Sequence, residues 1–414
     1  MSIKNKKNPK ALNYTLKKSL PFFFNYGALS YIFIIFNLLG EHILSVNLSI
    51  FQSILFLYTA SLSGDFRNIV LSNKTYYEKL LRYRIFSTLV FFILAIFSIP
   101  FIDKNYLLIL SMLALRKFID WLEEILLIRD TKKNLDFIYL ITQLFFLLPF
   151  PFIFLYFQSW IFIFFALWIF STIFIFSNSY KIILNKDFYR VKLKISFTNQ
   201  INIKSQIYAT FFMALGNFVL RYSISKLTDI DLASSIISSL SIGGFTGSLV
   251  SNVFTPNVLS YYKKRASLIN TLERYVFSSS FIAVLIIYVN LGRNFIEDLN
   301  LNFYTLIMSF LAGNILLLSN YKRMYLIQIK KVTTEKEDFI INLFLLIFIY
   351  ILFNQLNNYY QCITLITALC SLVVFSFRES LLSVNKGIIF SWIIVYFSAL
   401  VLFPVLLIVW VLNV

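Results

Sequence analysis

Apolar runs separated by short polar segments recur along the whole chain. A helix needs about 20 predominantly apolar residues to cross roughly 30 Å of hydrocarbon. By that measure the predicted spans are 20–40, 43–62, 85–102, 104–128, 135–157, 159–178, 204–225, 231–254, 273–291, 301–319, 339–356 and 360–376. A last stretch, 388–413, reads as a thirteenth span, and Pro404 near its middle is placed to kink it or divide it into a re-entrant pair. The first run follows a basic leader (Lys4, Lys6, Lys7, Lys10, Lys17, Lys18) and extends from Leu20 to Gly40. A secretory signal has a shorter apolar part closed by a small-residue cleavage site, so this run reads as an uncleaved first span.

The rhythm repeats. In each half two closely joined spans precede a basic loop, then two more, a second basic loop, and two more. The second loops align locally: Leu127-Ile128, Lys132-Lys133 and Asp136-Phe137-Ile138 against Leu326-Ile327, Lys330-Lys331 and Asp338-Phe339-Ile340. The expected fold is all-α: a polytopic membrane protein of 12–13 helices in two pseudo-symmetric six-helix lobes. Residues 1–190 form the first lobe, 191–377 the second, and 378–414 an extra apolar helix. Paired lobes of this kind hold substrate near the midplane and expose it alternately to each side.

Composition agrees. Of 414 residues 59% are hydrophobic and 14% charged, with mean hydropathy +0.78 and 48 Phe. A soluble domain is about half apolar and about a quarter charged, so lipid is the solvent that suits this chain. The net charge of +18 is mainly topological. Segments 1–19, 63–84, 129–134, 179–204, 255–274, 320–338 and 377–387 carry 31 of the 37 Lys and Arg, and alternate loops carry Lys104, Lys226 and Arg293. Basic residues mark cytoplasmic loops, which places the N-terminus inside and predicts the inner membrane of a bacterium. No nucleic acid partner is needed to explain the charge, since anionic headgroups supply the attraction. Cys362 and Cys370 lie eight residues apart in one run. In a helix that is about 12 Å, too far for a disulfide, so both read as packing residues.

Ionisable groups inside spans are costly and mark function by default. The fourth predicted span carries Arg116, Lys117, Asp120, Glu123 and Glu124, at spacings that make one stripe of a helix. On one reading Arg116 and Lys117 meet an anionic substrate, while Asp120, Glu123 and Glu124 bind a coupling cation or exchange salt bridges between states. On the other, residues 117–130 are cytoplasmic helix with solvated charges. Arg221, a turn below the outer end of the seventh span, either faces the cleft as a further cation or reaches the outer headgroups. The eighth span is rich in Ser and Gly (Ser234, Ser235, Ser238, Ser239, Gly243, Gly244), which suits close helix approach better than sugar contact. His42, at the end of the first hairpin, reads as a surface residue.

Sequence motifs for covalent chemistry are missing. There is no phosphate-binding loop, nucleophile elbow or metal-spaced His cluster. Asp229-Ile230-Asp231 has the spelling of a nucleotide-sugar metal motif but falls in a six-residue outer loop. No enzyme, metal or resident cofactor is expected; Na+ and H+ are the candidate coupling ions.

Two stretches carry a family resemblance. Ser61-Leu62-Ser63-Gly64-Asp65-Phe66-Arg67-Asn68 looks like a Gly-then-Arg turn entering the first inner loop. Asn217 through Arg221, with Asp231, Gly247, Pro256 and Tyr261-Tyr262, is similar to a seventh–eighth span hairpin ending in a Pro-containing inner loop. Together with the helix rhythm these resemble the multidrug/oligosaccharidyl-lipid/polysaccharide exporter (MOP) superfamily, in particular its O-antigen and polysaccharide flippase branch. The resemblance implies a two-lobed helical flippase. It would move undecaprenyl-diphosphate-linked oligosaccharide to the outer leaflet, with a cationic cleft for the diphosphate that Arg116 and Arg221 would serve. Membrane lipids and other polysaccharide-assembly membrane proteins are the implied partners. Two other readings compete: a cation-coupled multidrug exporter of the same superfamily, and a membrane glycan polymerase or ligase. The last needs larger outer loops than this chain has.

Overall fold

The computed structural model describes residues 9–63, 82, 84–87, 90, 93, 107–129, 135–177, 203–245, 274–275, 278–279, 281–283, 285–286, 289–307, 309–310, 313–314 and 317. These residues are helical or in tight turns, with no strand among them, so the chain is all-α over its described part. The aligned basic loops, the expected lobe boundaries at 190/191 and 377/378, both cysteines and the predicted spans beyond 338 lie outside the described residues.

The chain divides into two compact units, Met1–Tyr222 with Val253–Lys263, and Ser223–Asn252 with Lys264–Val414. In the first unit the described helices are α1 (Pro9–Leu38), α2 (His42–Ser63), α3 (Leu107–Arg129), α4 (Leu135–Leu147), α5 (Phe150–Tyr156), α6 (Ile161–Ile175) and most of α7 (Ile203–Leu227). Among the described residues two stretches are long and apolar enough to cross a membrane: Leu20–Leu38, with mean hydropathy 1.4, and Phe137–Tyr156, with 2.1. His42–Tyr58 and Ile161–Ile175 are shorter apolar helices.

Local chemistry sets the turns. Gly40, at φ +83°, lets the Glu41 N–H reach back to the Phe36 carbonyl at 2.8 Å, which closes α1 and starts α2. A left-handed residue before such a backward bond is the Schellman stop, and only Gly adopts it without steric cost. His42 is half-buried at this hairpin, with Nδ1 3.2 Å from Asn37 Oδ1. The predicted span 135–157 is divided: Pro149 and Pro151 lack N–H donors, and the helix breaks at Leu148–Pro149 before resuming as α5.

α1 packs on α2, α3 and α4, while α6 packs on α3 and α4. Aromatic rings fill the seams. Phe36 of α1 lies 4.8 Å from Phe154 and 5.6 Å from Phe150, and Phe146 stacks on Trp168. The opposite faces of α4 to α6 turn outward with Phe145, Phe152, Phe170 and Phe174, the last 79% exposed. Large contiguous apolar surface of this kind fits lipid rather than water.

The second unit contains α8 (Ile230–Gly243), a shorter apolar helix, and α9 (Arg293–Asp298). Asp229 is the residue before α8, and Asp231 lies in its first turn, so the Asp-Ile-Asp triplet starts a helix rather than occupying a loop. The serines of α8 pack inward. Ser239 Oγ accepts the Asn302 N–H at 2.8 Å, and the Ser239 carbonyl accepts from Ser309 Oγ at 3.1 Å. A Cβ at Gly243 would overlap the Ser309 side chain and the Leu306 carbonyl, so only Gly permits this approach. This is the close packing that small residues provide.

Candidate functional site

The charges of α3 are buried. Arg116 and Asp120 are each 1% exposed, Glu123 is 0% and Glu124 is 6%, so the reading of 117–130 as solvated helix does not describe this segment. The stripe predicted from the spacing is real, and it faces α1, α4 and α6.

Arg116 sits at the centre. Its Nη2 lies 2.6 Å from Asp120 Oδ1 one turn along, and its Nη1 lies 3.5 Å from Glu123 Oε2. Nη1 also donates to Thr172 Oγ1 of α6 at 3.2 Å, and the guanidinium lies 4.9 Å from the Trp168 ring centroid. Tyr139 of α4 joins the network through its hydroxyl. That oxygen accepts from Asn25 Nδ2 at 3.2 Å and donates to Asp120 Oδ1 at 3.4 Å. Asn25 of α1 also donates to the Asp120 carbonyl at 3.0 Å. Four helices therefore meet on one ion pair.

A second pair lies alongside. Arg84 Nη2 contacts Glu124 Oε2 at 3.1 Å, and its guanidinium sits over Trp121 at 4.5 Å. The hydroxyl of Tyr26 donates to Glu124 Oε1. Lys117 is half-buried, with Nζ 3.5 Å from the Asn25 carbonyl and 5.5 Å from the Tyr26 ring centroid. Among the described residues of this network, Arg84, Arg116 and Lys117 thus stand against Asp120, Glu123 and Glu124, three charges of each sign. Charge balance is what makes such burial tolerable, because an uncompensated ion in low dielectric costs several kcal/mol. Glu123 is the least satisfied member: neither of its carboxylate oxygens makes a hydrogen bond.

Arg221 is a different case. It is half-buried on α7, and its Nη1 donates to the Ser49 carbonyl at 2.9 Å and to Gln52 Oε1 at 3.1 Å, both on α2. Its guanidinium lies 5.4 Å from the Phe33 ring centroid. Gln52 in turn donates to Ser30 Oγ of α1 at 2.9 Å. All these partners are neutral, so among the described residues the positive charge of Arg221 is hydrogen-bonded but not cancelled.

The sequence reading named Arg116, Lys117, Asp120, Glu123, Glu124 and Arg221, and the structure brings the first five together. It did not name Asn25, Tyr26, Tyr139, Thr172 or Gln52. Each is one of a few polar residues interrupting an apolar run, the one signal available for them. Arg84 was counted with a basic loop; it is 1% exposed and helical. Among the described residues no group of acidic, His and Cys side chains has the arrangement of a metal site. Comparison with known proteins gives no match to a family model, to a curated protein or to a solved structure.

Proposed function

We propose that the protein is a polytopic inner-membrane transporter with its N-terminus in the cytoplasm, built from 12–13 helices in two lobes. Its substrate in this reading is a lipid-diphosphate-linked oligosaccharide, moved from the inner to the outer leaflet by alternating access. The observation that carries the proposal is a charge-balanced ionic network held inside an apolar helical unit, with a second, uncancelled guanidinium at Arg221. Ionisable groups are kept at such depth where they serve a pathway. The network supplies a rigid, neutral wall, and Arg221 supplies the positive charge that a phosphate needs. The alternation of basic loops and the resemblance to the polysaccharide flippase branch support the same reading.

The test is the sidedness of lipid-linked oligosaccharide in a strain lacking the gene, read with a glycosidase restricted to the outer face. Intermediates trapped on the inner leaflet are the expected result. Normal delivery of single repeat units to the outer leaflet would remove flipping from consideration.

One observation favours a second reading, the cation-coupled exporter. Asp120, Glu123 and Glu124 are three buried carboxylates, and Glu123 is held by a long ion pair to Arg116 at 3.5 Å rather than by a hydrogen bond of good geometry. Loss of resistance to cationic drugs in the deletion strain, with surface polysaccharide unchanged, would select it.

A further inference from the structure

Between the predicted spans 273–291 and 301–319 the chain makes a built elbow rather than a plain loop. The Leu291 N–H reaches back to the Ile286 carbonyl at 3.1 Å with Asn290 at φ 52°, and the Leu301 N–H reaches the Ile296 carbonyl at 3.2 Å with Asn300 at φ 55°. Each is a Schellman stop, the first before α9 and the second closing it. Gly292, at φ 77°, turns the chain again into α9. The short helix is therefore fixed by local bonds at both ends.

Its residues sort by chemistry. Leu291 stands in the turn before Gly292, and Phe295 and Leu299, four residues apart, share one side of the short helix. They are 65%, 68% and 40% exposed. Arg293 and Glu297 share another side, with Nε 2.8 Å from Oε1, and the guanidinium lies 5.6 Å from the Tyr304 ring centroid. Tyr304 in turn donates its hydroxyl to Asn290 Oδ1 at 3.2 Å. The apolar side continues a face already exposed in the segment before it, at Phe281, Ile282 and Leu285.

We propose that this elbow is an interfacial anchor. Leu291, Phe295 and Leu299 enter the boundary between headgroups and acyl chains, and Arg293 and Glu297 stay at the aqueous level. The inference rests on the membrane-spanning reading above. Lipid is the occupant favoured by the continuity of the elbow's apolar side with the exposed apolar face of a predicted span. A lipid boundary also suits a helix whose apolar and charged sides are segregated. The elbow carries one Arg against Glu297 and Asp298, so apolar insertion rather than attraction to anionic lipid holds it in place.

Spin labels on single cysteines test this in the full chain, with Cys362→Ala and Cys370→Ala as background and phosphatidylcholine vesicles as the membrane. Leu291→Cys and Phe295→Cys should collide with oxygen in preference to a water-soluble nickel chelate, several-fold more than Glu297→Cys does. Adding phosphatidylglycerol should leave the ratios unchanged. Labels at Phe145 and Phe170, on the outward faces of α4 and α6, report on the bilayer itself. If those are oxygen-rich while positions 291 and 295 favour the chelate, the anchor is wrong and the membrane reading stands. Shielding of 291 and 295 from both reagents would mean that protein covers the elbow, and would also overturn the proposal. Chelate access at Phe145 and Phe170 as well would remove the membrane reading on which the anchor depends.

Discussion

Two arginines in the first unit are held in opposite ways. Arg116 is enclosed by Asp120, Glu123, Thr172, Tyr139 and Trp168, so its charge is spent inside the protein. Arg221 is held by a backbone carbonyl, an amide and a ring, and no carboxylate among the described residues offsets its charge. A cation that is cancelled fixes helices against one another; a cation that is oriented but not cancelled attracts an anion. In the sequence both are arginines inside predicted apolar spans. Their partners separate them.

The comparison can be broken most forcefully at Arg116. Arg116→Met leaves Asp120 and Glu123 without their cation, and breaking a buried pair on one side costs about 3–5 kcal/mol. The expected result is a strong fall in membrane abundance and in the unfolding temperature of purified protein. A variant that is fully abundant and fails only in transport would instead give Arg116 the role assigned to Arg221.

The Arg84–Glu124 pair gives the next largest effect. A double-mutant cycle with Arg84→Met and Glu124→Gln should return a coupling near the top of the roughly 0.5–3 kcal/mol range of contacting groups. Strictly additive losses in denaturant titration would mean that the two side chains are not working as a pair.

Arg221→Ala should cost about 1.5–3 kcal/mol, the scale of hydrogen bonds from a charged donor, while abolishing rescue of the deletion strain. Arg221→Lys keeps the charge without the fork of donors and should restore part of the activity. Full rescue by Arg221→Ala would end the anion-attracting role.

The smallest effect is expected at Gln52→Leu. It removes one acceptor from Arg221 and one donor to Ser30, for a stability change of about 1 kcal/mol. Activity should fall partially, because the guanidinium loses orientation and keeps its charge. A loss as complete as that of Arg221→Ala would place Gln52 itself against the substrate.

Much of this contrast was legible in part. The intervals between Arg116, Asp120 and Glu124 predicted one stripe on one helix, and the i,i+4 ion pair of Arg116 with Asp120 follows from the same arithmetic. Burial of the stripe was left open between two readings, since periodicity cannot say which neighbour covers a helix. Asn25, Tyr139 and Thr172 reach the network from positions 95, 19 and 52 residues away from Asp120. Tertiary packing alone selects them among the many other polar residues of the spans. The break at Pro149 is a matter of donor chemistry visible in the sequence, and the apolar run on both sides concealed it. In the second unit the small residues of α8 announced close packing, but not that Ser309 and Leu306 would be what they approach.

The order of the network along the chain has its own consequence. Every carboxylate in it follows its cation: Arg84 precedes Glu124, and Arg116 precedes Asp120 and Glu123. Asn25 and Tyr26 come earlier still, and the later contributors, Tyr139 and Thr172, are neutral. A chain made from its N-terminus therefore meets each new negative charge of the network with its counter-charge already synthesised. If α3 spans the membrane as proposed, it reaches the bilayer with the counter-charge of each of its carboxylates already synthesised, and its insertion need not wait for the rest of the fold.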